Sequence, residues 1–200
     1  MDVFLGSSKK LRDLRLAFSE LMDSLADAVF DACGEDLVGR LWETESYTME
    51  RARSKQEAYD EVIRGCELAF FLVDGTLGDY TLHEFEVAIE APETQGAQRV
   101  TVWLRPEAQA GAYDANTRQL LELAAERSDV RVLALASEGE LLLDMIQTIA
   151  ALLPPLPLEL RPNGVWVGHK RLVDTSTLPE QTLHAFAAAV RQTSDRGGVA

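Results

Sequence analysis

The chain has 200 residues, 46% of them hydrophobic and 26% charged, with a formal net charge of -14. This composition suits a globular chain with a sizeable core. The negative balance argues against a nucleic-acid backbone as a direct partner, and no apolar run is long enough to span a bilayer.

The start, MDVFLGSSKK, enters a strand pattern at once and lacks a signal-peptide pattern. Val3 to Leu5 is a short apolar strand, and Gly6-Ser7-Ser8 follows it. These three residues either offer backbone N–H groups and hydroxyls to a ligand phosphate or ribose, or supply a serine N-cap. The helix they open carries Leu11, Leu14, Phe18, Leu21, Leu25, Val29 and Ala32 at threes and fours. Lys9, Lys10, Arg12, Asp13 and Arg15 lie off that stripe, and Gly34 is placed as a C-terminal cap.

Val38 to Trp42 reads as a weak second strand, and Glu43 to Met49 as a loop at the same edge of the sheet. Arg51 to Gly65 reads as a helix with Ala58, Val62 and Ile63 inward. Leu68 to Val73 is an unbroken apolar run with the length of a strand covered on both faces. Asp74 ends it, and Gly75 and Gly78 supply turn freedom. Thr81 offers a helix cap with Glu84 three residues on, the capping-box spacing. Glu84 is thereby expected in the first turn of a helix beyond the carboxyl end of a central strand, where open α/β sheets bind ligands. The structural alternative is that Asp74 only ends a strand and Glu84 only completes a cap.

Arg99 to Leu104 is the next strand, closed by Pro106. Asp114 to Arg127 is a helix carrying Leu120, Leu121 and Ala124. Val130 to Leu135 is a fifth strand. Glu138 to Leu153 is a helix with Leu141, Leu142, Met145, Ile146, Ile149 and Leu152 on its apolar side. Five strands alternating with five helices predict a flavodoxin-like parallel sheet in the order 2-1-3-4-5, with helices on both faces. Pro154, Pro155 and Pro157 end that pattern, so residues 1–153 are expected to form one domain and 154–200 a connector. In the connector, Leu158–Arg161 and Val165–Val167 read as a hairpin with an Asn163-Gly164 turn. A further turn at Gly168–Lys170 leads into Leu172–Val173, and Pro179 to Arg191 is a short helix. Residues 159–200 carry five Lys/Arg against four Asp/Glu, a charge shift that agrees with a boundary. The ending TSDRGGVA reads as a linker, and the natural chain is expected to continue.

Cys33 and Cys66 lie in helical contexts without metal-ligand spacing, and His83, His169 and His184 are scattered. The expectation is a cytoplasmic protein with reduced core thiols and no metal site.

Three features in this order resemble one superfamily: VFLGSS before a long helix with Lys and Arg, the AFFLVDG strand, and Thr81-x-x-Glu84-x-x-x-Ala88 opening the next helix. The resemblance, over roughly residues 1–152, is to bacterial TIR-like (Toll/interleukin-1-receptor-like) domains and nucleoside 2-deoxyribosyltransferases. It implies that Glu84 falls on the glutamate both families use at the ribose C1′. In deoxyribosyltransferases that residue is the nucleophile, and in TIR-type NAD glycohydrolases it is the essential acid. Gly6, Ser7 and Ser8 fall on the loop lining the nucleotide pocket, and Asp74 on the residue ending the third strand. Trp42 and Tyr80 are candidates to stack on a base or on nicotinamide, or else to pack in the core.

Glu86 stands where deoxyribosyltransferases usually carry glycine, which counts against base exchange. Leu82 and His83 stand where many TIR domains carry an aromatic–cysteine pair. The resemblance implies a TIR-like effector domain that cleaves the N-glycosidic bond of NAD in bacterial anti-phage defence, with NAD as substrate and no cofactor. Self-association, and further C-terminal modules or a partner protein, are implied with it. The competing readings are a non-catalytic nucleotide-sensing or homotypic-interaction module of the same fold, and a deoxyribosyltransferase-like N-glycosidase.

Overall fold

In the computed structural model of the chain, the described residues are 1–41, 55–91, 99–105, 113–134, 137–153 and 156–196. Trp42, the Glu43–Met49 loop, the predicted helix start at Arg51, Pro106, Leu135, Pro154 and Pro155 lie outside them.

The chain divides into two compact units, Met1–Leu16 with Val38–Ala136, and Ala17–Leu37 with Ser137–Ala200. The first unit holds β1 (Asp2–Ser7), β2 (Val38–Arg40), β3 (Leu68–Val73), β4 (Val100–Leu104) and β5 (Val130–Ala134). These form one parallel sheet in the order β2-β1-β3-β4-β5, so the flavodoxin-like order expected from the alternation is present. In chain order the helices that follow the first four strands are α1 (Arg12–Cys33), which belongs to the second unit from Ala17 onward, α2 (Lys55–Gly65), α3 (Asp79–Glu90) and α4 (Ala115–Ala125). All six residues of β3 are buried, as a central strand with no polar alternation requires.

Alternation along the strands sorts the core into two faces. Phe4, Ala69, Phe71, Val73, Val100 and Val102 share one cluster with Tyr59 and Ile63 of α2, Leu82, Phe85 and Ala88 of α3, and Leu120 and Ala124 of α4. On the other face Val3, Leu5, Phe70, Leu72 and Trp103 are buried. There the Phe70 and Trp103 rings stack with centroids 4.5 Å apart. Tyr59, which the helical pattern left out, is buried and meets Phe4 edge-on at 5.7 Å. Arg99 precedes β4 and is also buried, and its guanidinium donates to the last carbonyls of α2, Ile63 O at 2.7 Å and Arg64 O at 3.0 Å. Burial first, and the nearby Asp2 carboxylate second, push the Cys66 thiol up to about 12, so it stays a protonated core residue. Cys33 is only half-buried.

Gly34 ends α1 with φ +72° and donates its N–H to Phe30 O at 2.8 Å, the expected left-handed cap. Ala32 leaves the predicted stripe and is exposed.

The second unit contains α5 (Glu138–Ala150), α6 (Glu180–Arg196) and an antiparallel sheet of β6 (Leu158–Arg161), β7 (Gly164–Val167) and β8 (Lys170–Asp174). The hairpin turn is Pro162-Asn163 rather than Asn163-Gly164, because Arg161 pairs with Gly164. Gly164 serves a different need: a Cβ there would meet Val173 O at 2.5 Å, so glycine lets β8 approach. On α5, Leu143 is buried while Leu142 is only half-buried and Leu152, just past the helix, is 36% exposed. The helix α6 runs on through Thr193–Arg196, residues expected to begin a linker.

Candidate functional site

The parallel register sets the carboxyl ends of β1 and β3 side by side, with Gly6 opposite Phe71 and Ser7 opposite Leu72. This is the point at which the strand order reverses, the general ligand position of flavodoxin-like sheets. Gly6 is there for a steric reason. A Cβ on it would stand 2.6 Å from Cε1 of Phe71, so the ring occupies the space a side chain would take. Phe71 in turn meets Phe85 of α3 edge-on at 5.3 Å, and α3 packs on β1. The loop after β1 and the helix bearing Glu84 are thereby coupled through two rings.

Neither serine caps a helix through its side chain. Ser8 begins a short 3-10 turn (Lys9–Leu11) without a side-chain cap bond, and its hydroxyl is buried without a partner among the described residues. Arg15 reaches back and donates from Nη1 to Ser7 Oγ at 3.1 Å and to the Ser8 carbonyl at 2.7 Å, which fixes the loop. Asp74 folds the β3–α3 loop locally. Its Oδ1 accepts from the Thr76 N–H at 3.2 Å and from the Thr76 hydroxyl at 2.9 Å. The two loops meet where Lys10 Nζ donates to Thr76 Oγ1 at 3.1 Å.

Thr81 is not the cap of α3. The helix begins at Asp79, with Gly78 at the N-cap position and Thr81 buried inside the first turn. Glu84 therefore sits in the second turn. The cause lies in the next helix. Asp114 accepts the Leu77 N–H at 2.8 Å, and Asn116 donates to Leu77 O at 3.0 Å and to Asp79 Oδ1 at 2.7 Å. These bonds fix the chain ahead of Thr81, so the helix starts early with an acid at its positive end.

Glu84 is 8% exposed, on a buried stripe with Thr81, Phe85 and Ala88. The residues around it turn elsewhere. The His83 ring nitrogen lies 3.0 Å from Asp60 Oδ2 on α2, and Glu86 Oε1 accepts from Gln119 Nε2 on α4 at 3.1 Å. Tyr80 is 77% exposed, so its ring is not core. A groove of about 400 Å³ runs along α2, lined by Glu57, Asp60, Glu61 and Arg64. Three carboxylates there oppose an anionic ligand, and none of the sequence-derived candidates lines it. Among the described residues no group of three or more His, Cys, Asp or Glu is placed to hold a metal.

The structure thus brings Gly6, Ser7, Ser8 and Asp74 to one edge, carries Glu84 and Tyr80 on the adjoining helix, and leaves Trp42 outside the described residues. Lys10, Arg15, Thr76, Asp114 and Asn116 were not among the candidates. For the first two, the basic run KKLRDLR was the available signal.

Burial alone would push the Asp114 carboxyl up. The N–H groups of Thr117, at 2.7 Å, and of Leu77 outweigh it and hold the group below the ordinary carboxylate range. A depressed folded-state value contributes stability that is present above the unfolded carboxyl's range and is lost as pH falls through the folded value. Asp114→Ala is expected to cost about 0.5–2 kcal/mol at neutral pH, the range for a lost N-cap. The difference from wild type should shrink below about pH 4, the ordinary carboxyl range. Urea unfolding of both proteins across pH checks this.

The two glycines of the β3–α3 loop are not equivalent. Gly75 is buried at φ +93°, whereas Gly78 is exposed at φ -74°, and a Cβ on it meets nothing within 4 Å. Only Gly75 uses the freedom expected of both. Gly75→Ala should cost about 1–2 kcal/mol and Gly78→Ala less than about 0.5 kcal/mol, read from unfolding midpoints.

The fold is that of a flavodoxin-like α/β protein, and the loops after β1 and β3 meet in a polar contact between Lys10 and Thr76. No helix among the described residues is long and apolar enough to cross a membrane. No family model matches the chain, and no curated protein matches it.

Proposed function

We propose that this chain is a TIR-like effector domain that hydrolyses the N-glycosidic bond of NAD, in the setting of bacterial defence against phage. The observation that carries the proposal is the buried carboxylate of Glu84 on the inner stripe of α3, coupled through Phe85 and Phe71 to the loop after β1.

The chemistry needs little more than that carboxylate. The C1′–N bond of the nicotinamide ribose breaks, and its electron pair goes to the ring nitrogen and neutralises the pyridinium cation. Nicotinamide leaves without protonation. The ribosyl cation left behind is oxocarbenium-like, and a carboxylate beneath C1′ stabilises or traps it. Water then adds at C1′ and gives up a proton, completing hydrolysis. Glu84 is the residue assigned to that role. The loop Gly6–Ser8, Asp74 and Tyr80 are assigned to binding, with Tyr80 exposed and ready to stack on a ring. Self-association and a cytoplasmic location belong to the same proposal.

The test is incubation of the 200-residue chain with NAD while nicotinamide release is followed. Release that tracks enzyme concentration supports the reading. Tight NAD binding without release transfers the site to a nucleotide-sensing module. The commitments of Leu82 to packing and of His83 to Asp60 favour that second reading.

A further inference from the structure

Helix α3 carries a start signal that it does not use. Thr81 and Glu84 have the capping-box spacing, yet the helix begins at Asp79, with Gly78 at the N-cap position and no side-chain cap bond. Thr81 is left idle by this. It is 7% exposed, and its hydroxyl has no hydrogen-bond partner among the described residues. Burying a hydroxyl without a partner is unfavourable. A helix that began at Leu82 instead would satisfy it. Thr81 Oγ1 would then accept the Glu84 N–H, and the Glu84 carboxylate would accept the Thr81 N–H.

What holds the longer helix comes from α4. Asn116 commits both amide hydrogens to the start of α3, with Nδ2 donating to Leu77 O at 3.0 Å and to Asp79 Oδ1 at 2.7 Å. Its side chain has no other hydrogen bond among the described residues. Asp114 adds a third bond by accepting the Leu77 N–H at 2.8 Å, but it also caps α4 through Thr117. The turn so held buries little of its own. Gly78, Asp79 and Tyr80 are all exposed, and Tyr80 is 77% so. Leu77 before it and Thr81 after it are buried, so the chain is anchored on both sides of an exposed three-residue stretch.

We propose that the start of α3 is a two-position device. Latched by Asn116, the helix begins at Asp79 and presents the Glu84 carboxylate along its inner stripe. With the latch open, the helix restarts after Thr81, and Glu84 is drawn into the capping box. Its carboxylate is then engaged by the Thr81 N–H and withdrawn from any ligand. Asn116 is thus a positioning residue that controls Glu84 without touching it. Opening the latch exchanges the three bonds to Leu77 and Asp79, and the first helical bond from Leu82 N–H to Gly78 O, for the two reciprocal bonds of the box. The device acts on Glu84 whatever that carboxylate meets, so it does not rest on NAD turnover.

Residue-resolved amide hydrogen exchange on the 200-residue chain, with no ligand present, reads the two positions. The Leu82 N–H is bonded to Gly78 O only in the latched form. The Phe85 N–H keeps its helical bond to the Thr81 carbonyl in both forms. Asn116→Ala should therefore speed exchange at Leu82 about fivefold or more, the factor of one net hydrogen bond, and leave Phe85 unchanged. Thr81→Val removes the cap of the restarted helix, which disfavours that form about 2- to 30-fold, the range for a lost N-cap. Added to Asn116→Ala, it should return Leu82 most of the way to the wild-type rate. On its own it should slow Leu82. Simple fraying of the first turn predicts no such rescue, and a merely structural role for Thr81 predicts faster exchange in both backgrounds. Unchanged Leu82 exchange in Asn116→Ala, or a rise that Thr81→Val leaves standing, would overturn the proposal. If Asn116→Ala does not fold, Thr81→Val alone decides: slower exchange at Leu82 supports the device, and unchanged or faster exchange ends it. Absence of nicotinamide release would sink the catalytic reading and leave each of these outcomes as it stands.

Discussion

Glu84→Gln is expected to lower nicotinamide release by about 10² to 10³, the loss that follows removal of one preorganised electrostatic group. The amide keeps the shape and most of the hydrogen bonding of the carboxylate. It lacks the charge that an oxocarbenium ion requires, so the transition state suffers and ground-state binding falls much less. Glu86→Gln should leave turnover nearly unchanged. Two residues apart on a helix point roughly 200° apart around its axis, from 3.6 residues per turn. Glu84 is buried, while Glu86 accepts from Gln119 on α4. The paired measurement is nicotinamide release and NAD binding for wild type and both variants. Equal release by wild type and Glu84→Gln ends the catalytic assignment. Equal losses in the two variants would mean that the helix, not the carboxylate, matters.

Phe71→Ala should be the most destabilising single change at the site, at about 3–5 kcal/mol, the range for truncating a buried phenylalanine. The ring is fully buried, sits 5.8 Å from Phe4 and 5.3 Å from Phe85, and fills the space over Gly6. Its loss opens a void between β1, β3 and α3 at the point where the loop and the Glu84 helix are coupled. Gly6→Ala attacks the same contact from the other side. The added methyl would meet ring carbons at 2.6–2.7 Å, and the ring is hemmed in, so overpacking of about 1–3 kcal/mol is expected. The two changes share one volume. Combining Gly6→Ala with Phe71→Leu should therefore cost less than the sum of the separate losses. Urea midpoints at constant m-value read all four proteins. Strict additivity would show that Phe71 and Gly6 do not compete for that space. The explanation of Gly6 as a packing residue would then fail.

How much of this was legible beforehand depended on the range of the interaction. Leu68 to Val73 could be read as a central strand because six apolar residues in a row can be satisfied only by cover on both faces. The alternation of such runs with helical stripes already implied the 2-1-3-4-5 sheet. Gly34 was legible for the same local reason: its cap closes on Phe30, four residues back. The start of α3 was not. Thr81 and Glu84 make a sound capping pattern, but Asp114 and Asn116, on a helix far along the chain, hold Leu77 and Asp79 and begin the helix earlier. The hairpin turn shifted by one residue because Gly164 answers to Val173 on the third strand and not to its own turn. Spacing alone puts Glu84 in the first turn of its helix, whereas the structure sets it in the second, and the outward commitments of His83 and Glu86 depend on α2 and α4. Lys10 shows the limit most plainly. Its charge is visible in the sequence, but its partner Thr76 lies 66 residues away, and only the parallel pairing of β1 with β3 brings the two together. Local periodicity determined which segments are strands and helices, since each must bury its own apolar side. Which polar groups share a loop mouth was decided by tertiary structure, because short polar side chains carry no pattern that names a distant partner.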